Sequence, residues 1–188
     1  MPHPARIDRI AILQTARAMM ELEGIDGLSV NRLAAALGVK PPSLYHHFTS
    51  KAALLRELNA ETSAGLVKAM QTALHTTDAP LPHKILAMAQ AYRAYAHEHP
   101  VSYGLAYTNV VAELRPDPEF LEKLALTLQV HIAELVGPGE SLPALRGLWA
   151  LVHGFVVLEL GGQFQRGGNL DATFEQVVMA QIEGWTQR

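Results

Sequence analysis

Residues 29–48 of the 188-residue chain read SVNRLAAALGVKPPSLYHHF, and the fold of the N-terminal part can be predicted from this stretch. Ser29 can cap a short helix over residues 30–36, which Gly38 is expected to end. A second short helix begins at Pro41-Pro42 and runs to about residue 47, because the first amides of a helix lack intrahelical partners and so tolerate proline. Two short helices that cross through a tight turn predict a helix-turn-helix.

The residue types inside this stretch match what such a crossing needs. Ala34 is small enough for the two helices to approach closely, and Gly38 suits a positive φ in the turn. Buried side chains must then lock the pair together, and the residues placed to do so are Leu33, Leu37, Val39 and Leu44. Phe48 is also expected to pack inward.

The second helix carries more donors and flat rings than a structural helix requires. A recognition helix inserts its N-terminal part into the major groove and reads base edges there. Lys40 and Ser43 can donate to bases or phosphates, and Pro41 can contact a thymine methyl. Four further residues are assigned to the DNA backbone: Asn31 on the first helix, then Tyr45, His46 and His47. Lys51 and the free amides beside it suit a phosphate. The alternative is a plain helical hairpin with Tyr45 in the core and both histidines solvated.

The remainder of the chain reads as helix, which predicts an all-α fold of about nine helices. The expected helices outside 29–48 cover about 7–23, 51–75 and 83–99, a short one with Tyr103 and Tyr107, one from Asp117-Pro118 to Gly137-Pro138, then 143–165 and 171–187. The breaker over residues 76–82 suggests a division into a helix-turn-helix head (1–51), a connecting helix (52–78) and a ligand-binding and dimerisation body (79–188).

Charge and composition bound the possible functions. The net charge is −3, but residues 1–51 hold six Lys/Arg against four Asp/Glu while the rest hold nine against fourteen. A basic head on an acidic body fits a protein that touches DNA only through its head. Cysteine is absent, the N-terminus has no signal-peptide pattern, and the apolar run 148–162 is short for a bilayer and contains His153 and Glu159. We therefore expect a cytoplasmic protein with no membrane partner.

The head resembles the tetracycline-repressor (TetR) family of bacterial regulators over about residues 7–58. The pattern is Leu-Tyr-x-His-Phe followed by Lys and a leucine-rich helix, carried here by Leu44, Tyr45, His47, Phe48, Lys51, Leu54 and Leu55. The resemblance implies DNA contacts at or near Asn31, Lys40, Pro41, Ser43, Tyr45, His47 and Lys51. The Pro41-Pro42 pair departs from the pattern, since the first of these positions is often a polar base-reader.

The C-terminal half resembles a TetR-family ligand domain with a Trp, His-Gly signature, here Trp149 and His153-Gly154, and Tyr92, Tyr95 and His99-Pro100 also fit it. This resemblance implies a helical effector pocket and a dimer interface. The polar-tipped aromatics and the histidine most suited to line such a cavity are Tyr92, Tyr103, Tyr107, Trp149 and His153. For any one of them, the alternative is a core residue with satisfied hydrogen bonds.

A two-fold operator requires two heads spaced by roughly 34–36 Å, one turn of DNA, which predicts a homodimer. The expected helices 143–165 and 171–187 are apolar on more faces than one core can cover. The candidate interface residues are Phe155, Leu158, Gly162, Phe164, Phe174, Val178 and Trp185. The alternative is that these residues belong to the core of a single chain.

Taken together, the sequence predicts a repressor that a small-molecule effector releases from a palindromic operator, although it leaves activation open. An enzyme is the rival class, and His97, Glu98 and His99 are its best metal candidates. Residues i and i+2 of a helix point to different faces, and neither a metal-binding His motif, a Gly-x-Ser-x-Gly elbow nor a Gly-rich phosphate loop is present. We expect no cofactor, metal or catalytic residue. A pure protein-interaction module is the third class, which the exposed donors on residues 40–47 disfavour.

Overall fold

The computed structural model describes residues 8–76, 78–108 and 111–187, and within these residues it contains nine α-helices and no strand. The all-α prediction is confirmed. The helices are α1 Arg9–Glu23, α2 Val30–Ala36, α3 Pro41–Tyr45, α4 Lys51–Thr76, α5 Leu81–Glu98, α6 Pro100–Tyr103, α7 Pro118–Val136, α8 Ser141–Leu160 and α9 Leu170–Thr186. Short turns of other helix types cover Ile25–Gly27, Gly104–Thr108 and Ala112–Leu114. The expected start of the first helix, residue 7, lies outside the described residues.

Two of the predicted helices are shorter than expected. The helix after Pro41 ends at Tyr45, and α8 ends at Leu160, where the sequence suggested 165. The second difference has a clear cause at Gly161 and Gly162. Gly162 takes a left-handed φ of +63°, and the amide of Gln163 turns back to donate to the carbonyl of Leu158 over 2.8 Å. This arrangement closes a helix and prevents its continuation.

The contacts divide the chain into two compact units. The first contains the chain up to Thr62 together with His99–Asp117, and the second contains Ser63–Glu98 and everything from Pro118 onward. This grouping differs from the head, connector and body suggested by the sequence, which stays a prediction. The carboxylate of Glu21 explains why the later segment returns: it accepts hydrogen bonds from the amides of Val101, at 3.0 Å, and Ser102, at 2.9 Å.

The first unit is built on one hydrophobic cluster. Its members come from α1, α2, α3, α4, the Gly104–Thr108 turn and the connections before α2 and after α3, namely Ile12, Leu13, Ala16, Met20, Leu28, Leu33, Ala34, Leu44, Phe48, Leu54, Leu55, Leu58 and Leu105. The side-chain amide of Asn59 donates to the carbonyl of Leu114 over 2.8 Å and ties the end of the later segment to α4. This core supports the surface on which the sequence places the DNA contacts.

In the second unit, α5, α7, α8 and α9 pack against one another. Four of the buried side chains of α8 follow one another at intervals of about one helical turn, at Ala144, Leu148, Val152 and Val156. On its length and apolar composition alone, α8 could also cross a membrane, a property that a core helix of a soluble protein shares. In the second unit it packs against α5, α7 and α9.

One nearly buried ion pair joins α5 to α8. The guanidinium of Arg93 forms a two-pronged contact with the carboxylate of Glu159, including an Nε–Oε2 distance of 2.7 Å, and also reaches Asp171 on α9 at 2.7 Å. His97 contacts the same carboxylate at 2.9 Å. The hydrogen bonds from Arg93 lower the pKa of Glu159 to about 2. No pattern in the sequence predicts this cluster of charged side chains around Glu159.

Replacing Glu159 with Gln should destabilise the protein by roughly 2–3 kcal/mol at pH 7, somewhat less than a fully buried pair loses when one partner is removed. Because the folded pKa of Glu159 is about 2 and its ordinary value is 4.5, its contribution is complete above about pH 4.5 and is lost as the pH falls toward 2. Urea unfolding of both proteins at pH 7 and pH 3 measures this. Glu175→Gln, an exposed position on α9, is the control, and a difference that is the same at both pH values would contradict the assignment.

Candidate functional site

The crossing of α2 and α3 has the local geometry that the sequence predicts. Ser29 Oγ accepts a hydrogen bond from the amide of Arg32 over 3.2 Å and so begins α2. Gly38 takes a φ of +68°, and the next amide, of Val39, donates to the carbonyl of Ala34 over 2.9 Å. Ala34 is completely buried at the crossing. The predicted helix-turn-helix is therefore confirmed.

The short helix α3 separates an inner side from an outer side. Leu44 is buried, and so is Phe48 directly after the helix, as predicted. Tyr45 is 53% exposed although it is a large aromatic residue, and Lys40 and His46 are exposed as well. A bulky exposed ring between exposed donors is unusual for a structural helix and typical of a binding surface.

Arg9 fixes the end of α3 from α1. Its Nη1 donates to the backbone carbonyl of His47 over 2.7 Å, and its Nε donates to Glu57 on α4 over 2.7 Å. The guanidinium lies 4.4 Å from the centre of the Phe48 ring, within the range of a cation–π contact. The bond to Glu57 raises the pKa of Arg9, so the clamp stays charged. No local pattern in the sequence pairs Arg9 with Glu57, and the sequence analysis missed this residue.

The start of α4 completes the same surface. Ser50 Oγ accepts from the amide of Ala53 over 3.1 Å, and Lys51 is exposed at the first helical position. Tyr45 and Lys51 line one shallow apolar depression together with Val30 and Leu33. Residues from α2, α3 and α4 thus meet at one place, where the N-terminal amides of α4 favour an anion.

All eight predicted DNA contacts lie in the first unit and at its surface. Five are exposed, namely Asn31, Lys40, Tyr45, His46 and Lys51, and three are half-buried, namely Pro41, Ser43 and His47. Arg9 and Arg32 are paired with Glu57 and Glu23. Lys40 and Lys51, in contrast, form no ion pair within the described residues, which leaves both ammonium groups available for phosphates.

In the second unit, three of the predicted effector residues come together. Tyr92 is buried, and its hydroxyl shares a hydrogen bond of 3.1 Å with Nδ1 of His153. The Trp149 ring meets the Tyr92 ring edge-on, with centroids 5.2 Å apart. Burial lowers the pKa of His153, so the imidazole is neutral at pH 7. A neutral phenol–imidazole pair can bind a hydroxyl or carbonyl group through either partner.

A small cavity lies beside this group. It is lined by Met70, Met88, Ala89, Tyr92, Leu145, Leu148, Trp149 and Val152, and the space open to a water-sized molecule is about 10 Å³. That is room for at most one water molecule. The other two predicted effector residues are not part of this group: Tyr103 and Tyr107 lie in the first unit, with ring centroids 5.2 Å apart.

The predicted dimer residues divide into two sets. Phe174 and Val178 are fully buried by the helices of their own chain, so they form core and not an exposed interface, a distinction that their apolar character alone does not make. Leu158, Gly162 and Phe164 are exposed, and Phe155 and Trp185 are half-buried. A second exposed apolar patch lies on α7, where Leu126 and Val130 are one helical turn apart, and no pattern noted in the sequence indicates it.

The metal candidates of the sequence do not come together. His97 faces Glu159, and among the described residues no group of three or more His, Asp or Glu side chains is arranged to hold a metal ion.

Both halves of the chain match profiles of known protein families. Residues 12–58 match the profile described as "Bacterial regulatory proteins, tetR family", and residues 85–180 match one described as "Tetracyclin repressor-like, C-terminal domain". The chain is 32% identical over 191 residues to the HTH-type transcriptional regulator Rv0681 of Mycobacterium tuberculosis. The aligned region covers 98% of this chain and 84% of that protein. The Trp, His-Gly subtype stays a prediction.

Solved structures share the fold. A protein of unknown function from Rhodococcus sp. RHA1 superposes with a TM-score of 0.81 at 24% identity, over 98% of this chain and 97% of that one. A variant of TetR from Acinetobacter baumannii AYE, in complex with minocycline, has a TM-score of 0.71 at 23% identity, over 96% and 97%. At these identities the likeness concerns the fold alone.

Replacing Gly38 with Ala should destabilise the first unit by about 1–2 kcal/mol, the cost of a left-handed conformation for a residue with a Cβ. A Cβ at this position meets nothing within 4 Å, so the backbone is the only cause. Gly38→Asn should cost less, because Asn adopts this conformation more easily. Gly139→Ala, where a Cβ is also free and φ is ordinary, is the control. Chemical unfolding gives the differences, and equal effects of Ala and Asn at position 38 would contradict a conformational origin.

Proposed function

The chain belongs to the tetracycline-repressor family of DNA-binding transcriptional regulators, and we propose that it is a cytoplasmic repressor that a small molecule releases from a palindromic operator. The observation that carries the proposal is the outer side of α3. Tyr45, Lys40 and His46 stand exposed on a helix whose inner side is locked by Leu44, Phe48 and the Arg9 clamp. A rigid helix with unpaired donors is what readout of a major groove requires.

We assign different roles to the contacts. Lys40 and Ser43, at the N-terminal end of α3, donate to base edges or nearby phosphates, while Pro41 offers an apolar surface to a thymine methyl. Lys51 and the first amides of α4 hold a phosphate. The sugar–phosphate backbone of the DNA is contacted by Asn31, Tyr45, His46 and His47. These contacts fix the position of α3 and do not read the base sequence.

The proposed dimer uses the exposed apolar residues at the C-terminal end of α8 and the loop after it, Leu158, Gly162 and Phe164, with Phe155 and Trp185 at the edge. Leu158 and Phe164 are 45% and 37% exposed in the single chain, although both are large apolar side chains. Burying them against a second copy provides the two heads that a palindrome needs.

The proposed effector site is the Tyr92, Trp149 and His153 group of the second unit. Its cavity is closed to anything larger than water, so a ligand binds only to a conformation with a wider pocket and shifts the population toward it. Release follows if that conformation holds the two heads at a spacing that no longer matches the operator. Tyr103 and Tyr107, which lie in the first unit, stay predicted effector residues. We propose no catalytic activity, since both family and fold are those of regulators.

DNA binding can be measured with a palindrome from the region upstream of the protein's own coding sequence, titrated at several salt concentrations. Tyr45→Ala should weaken binding about tenfold, the loss of one good contact. Lys51→Ala should lower the slope of log K against log salt by about 1, because one phosphate contact is lost. Lys68→Ala, an exposed lysine of the same helix in the second unit, should change neither.

Equal affinity for the palindrome and for random DNA would contradict specific repression. A reporter gene behind the palindrome separates the two regulatory senses: expression that rises on deletion of the protein supports a repressor, and expression that falls indicates an activator.

The dimer can be tested by comparing the two exposed apolar surfaces. Leu158→Ser with Phe164→Ser should give a monomer at micromolar concentration and weaken operator binding at least a hundredfold, because one head alone makes too few contacts. Leu126→Ser with Val130→Ser, the matched pair on α7, should remain dimeric. Sedimentation velocity distinguishes the outcomes, and a dimer that survives the first pair and dissociates with the second would assign the interface to α7.

A further inference from the structure

The second unit contains a second cavity next to the first. It is lined by Ile85, Ile132, Leu135, Val136, Ala144, Leu148, Gln181, Ile182 and Trp185, and again about 10 Å³ is open to a water-sized molecule. Leu148 lines both cavities and is almost fully buried. Because this side chain borders both spaces, a ligand that extends from the first cavity into the second would pass it.

The linings of the two cavities restrict the chemistry of an occupant. Neither lining contains a charged side chain. The polar groups are the Tyr92 hydroxyl and the Trp149 indole in the first cavity, and the Gln181 amide and the Trp185 indole in the second. A buried charge without a partner is very costly, so an ionised ligand is disfavoured. Although Gln181 and Trp185 line the second cavity, the surface that faces it is entirely apolar. A polar surface faces only the first cavity, where the hydroxyl of Tyr92 is hydrogen-bonded to the neutral imidazole of His153.

We propose that the effector is a neutral, elongated amphiphile, an aliphatic chain that bears one hydroxyl or carbonyl group. Its polar end meets Tyr92 and His153, and its tail passes Leu148 into the second cavity beside Trp185. The proposal rests on the proposed function, in which the second unit takes an effector. Ala144 and Val152, which line the two cavities, are separated by about 12 Å along the axis of α8. This distance is close to the extended length of an aliphatic chain of roughly ten carbons.

The two tryptophans of the chain make the path observable, because Trp149 lines the first cavity and Trp185 lines the second. The variants Trp149→Phe and Trp185→Phe each leave one reporter of intrinsic fluorescence. The probes are the straight-chain primary alcohols hexanol, octanol and decanol. Hexanol should change the emission of Trp149 alone, while decanol should change that of both. Affinity should rise roughly fourfold for each methylene added, the effect of burying one more CH₂.

Changes at Leu148 test the path directly. Leu148→Phe should reduce decanol affinity at least tenfold and abolish the response of Trp185, while hexanol affinity stays within twofold. Leu148→Ala should let a shorter alcohol, octanol, reach Trp185. Leu151→Ala, on the same helix but in neither lining, is the matched control and should behave as the parent. Circular dichroism confirms that each variant is folded, and the phenylalanine variant carries the test if the alanine variant is not.

Each outcome decides the inference. A response confined to Trp149 at every chain length would overturn the path across Leu148 and leave a single effector pocket. Decanoate binding as tightly as decanol would overturn the preference for a neutral ligand, and no response at either tryptophan would overturn the inference entirely. Operator binding without alcohol is measured separately and tests the proposed repressor. If both tryptophans respond but operator affinity is unchanged, the path stands and the effector role of the site fails.

Discussion

The ion pair between Arg93 and Glu159 is the interaction on which the arrangement of the second unit depends. A carboxylate on a helix as apolar as α8 needs a positively charged partner next to it, because the carboxylate loses its hydration on folding. Arg93 supplies two parallel hydrogen bonds from α5, which admit one register of the two helices. Tyr92 precedes Arg93 on α5, and His153 lies six positions before Glu159 on α8. The ion pair and the phenol–imidazole hydrogen bond therefore join the same two helices.

In the first unit, a more exposed ion pair, between Arg9 and Glu57, helps to hold the short helix α3 in position. Helix α3 has only five residues, too few to be stable alone, so its position is set by what it packs against. Leu44 and Phe48 hold its inner side, and Arg9 binds the chain just beyond it at His47 while joining Glu57 on α4. On the outer side, Tyr45 is 53% exposed, and the proposed function assigns this residue to DNA. Support from behind allows a very short helix to present a recognition surface.

Local and distant features differ in how far they can be predicted from the sequence. The capped start at Ser29, the turn at Gly38 and the inward Phe48 follow from neighbouring residues and from a specific family pattern, and the structure confirms them. The partners of Arg9, Arg93 and Glu21 lie 48, 66 and about 80 positions away, where no periodicity connects them. The apolar character of Phe174 and Phe164 indicates that both should be buried. Only the packing of the folded chain shows that Phe174 lies in the core and that Phe164 is exposed.

The closed first cavity connects ligand size to movement of a particular helix. Its walls come from α4, α5 and α8, and α5 and α8 are tied by the Arg93–Glu159 pair. Met70 on α4 is free of that tie, and its side chain, like that of Met88 on α5, is flexible and unbranched. In the proposed function, a ligand larger than a water molecule would therefore displace α4 more readily than α5 or α8. The same helix begins at Lys51, so the helix proposed to move with the effector also carries a proposed phosphate contact.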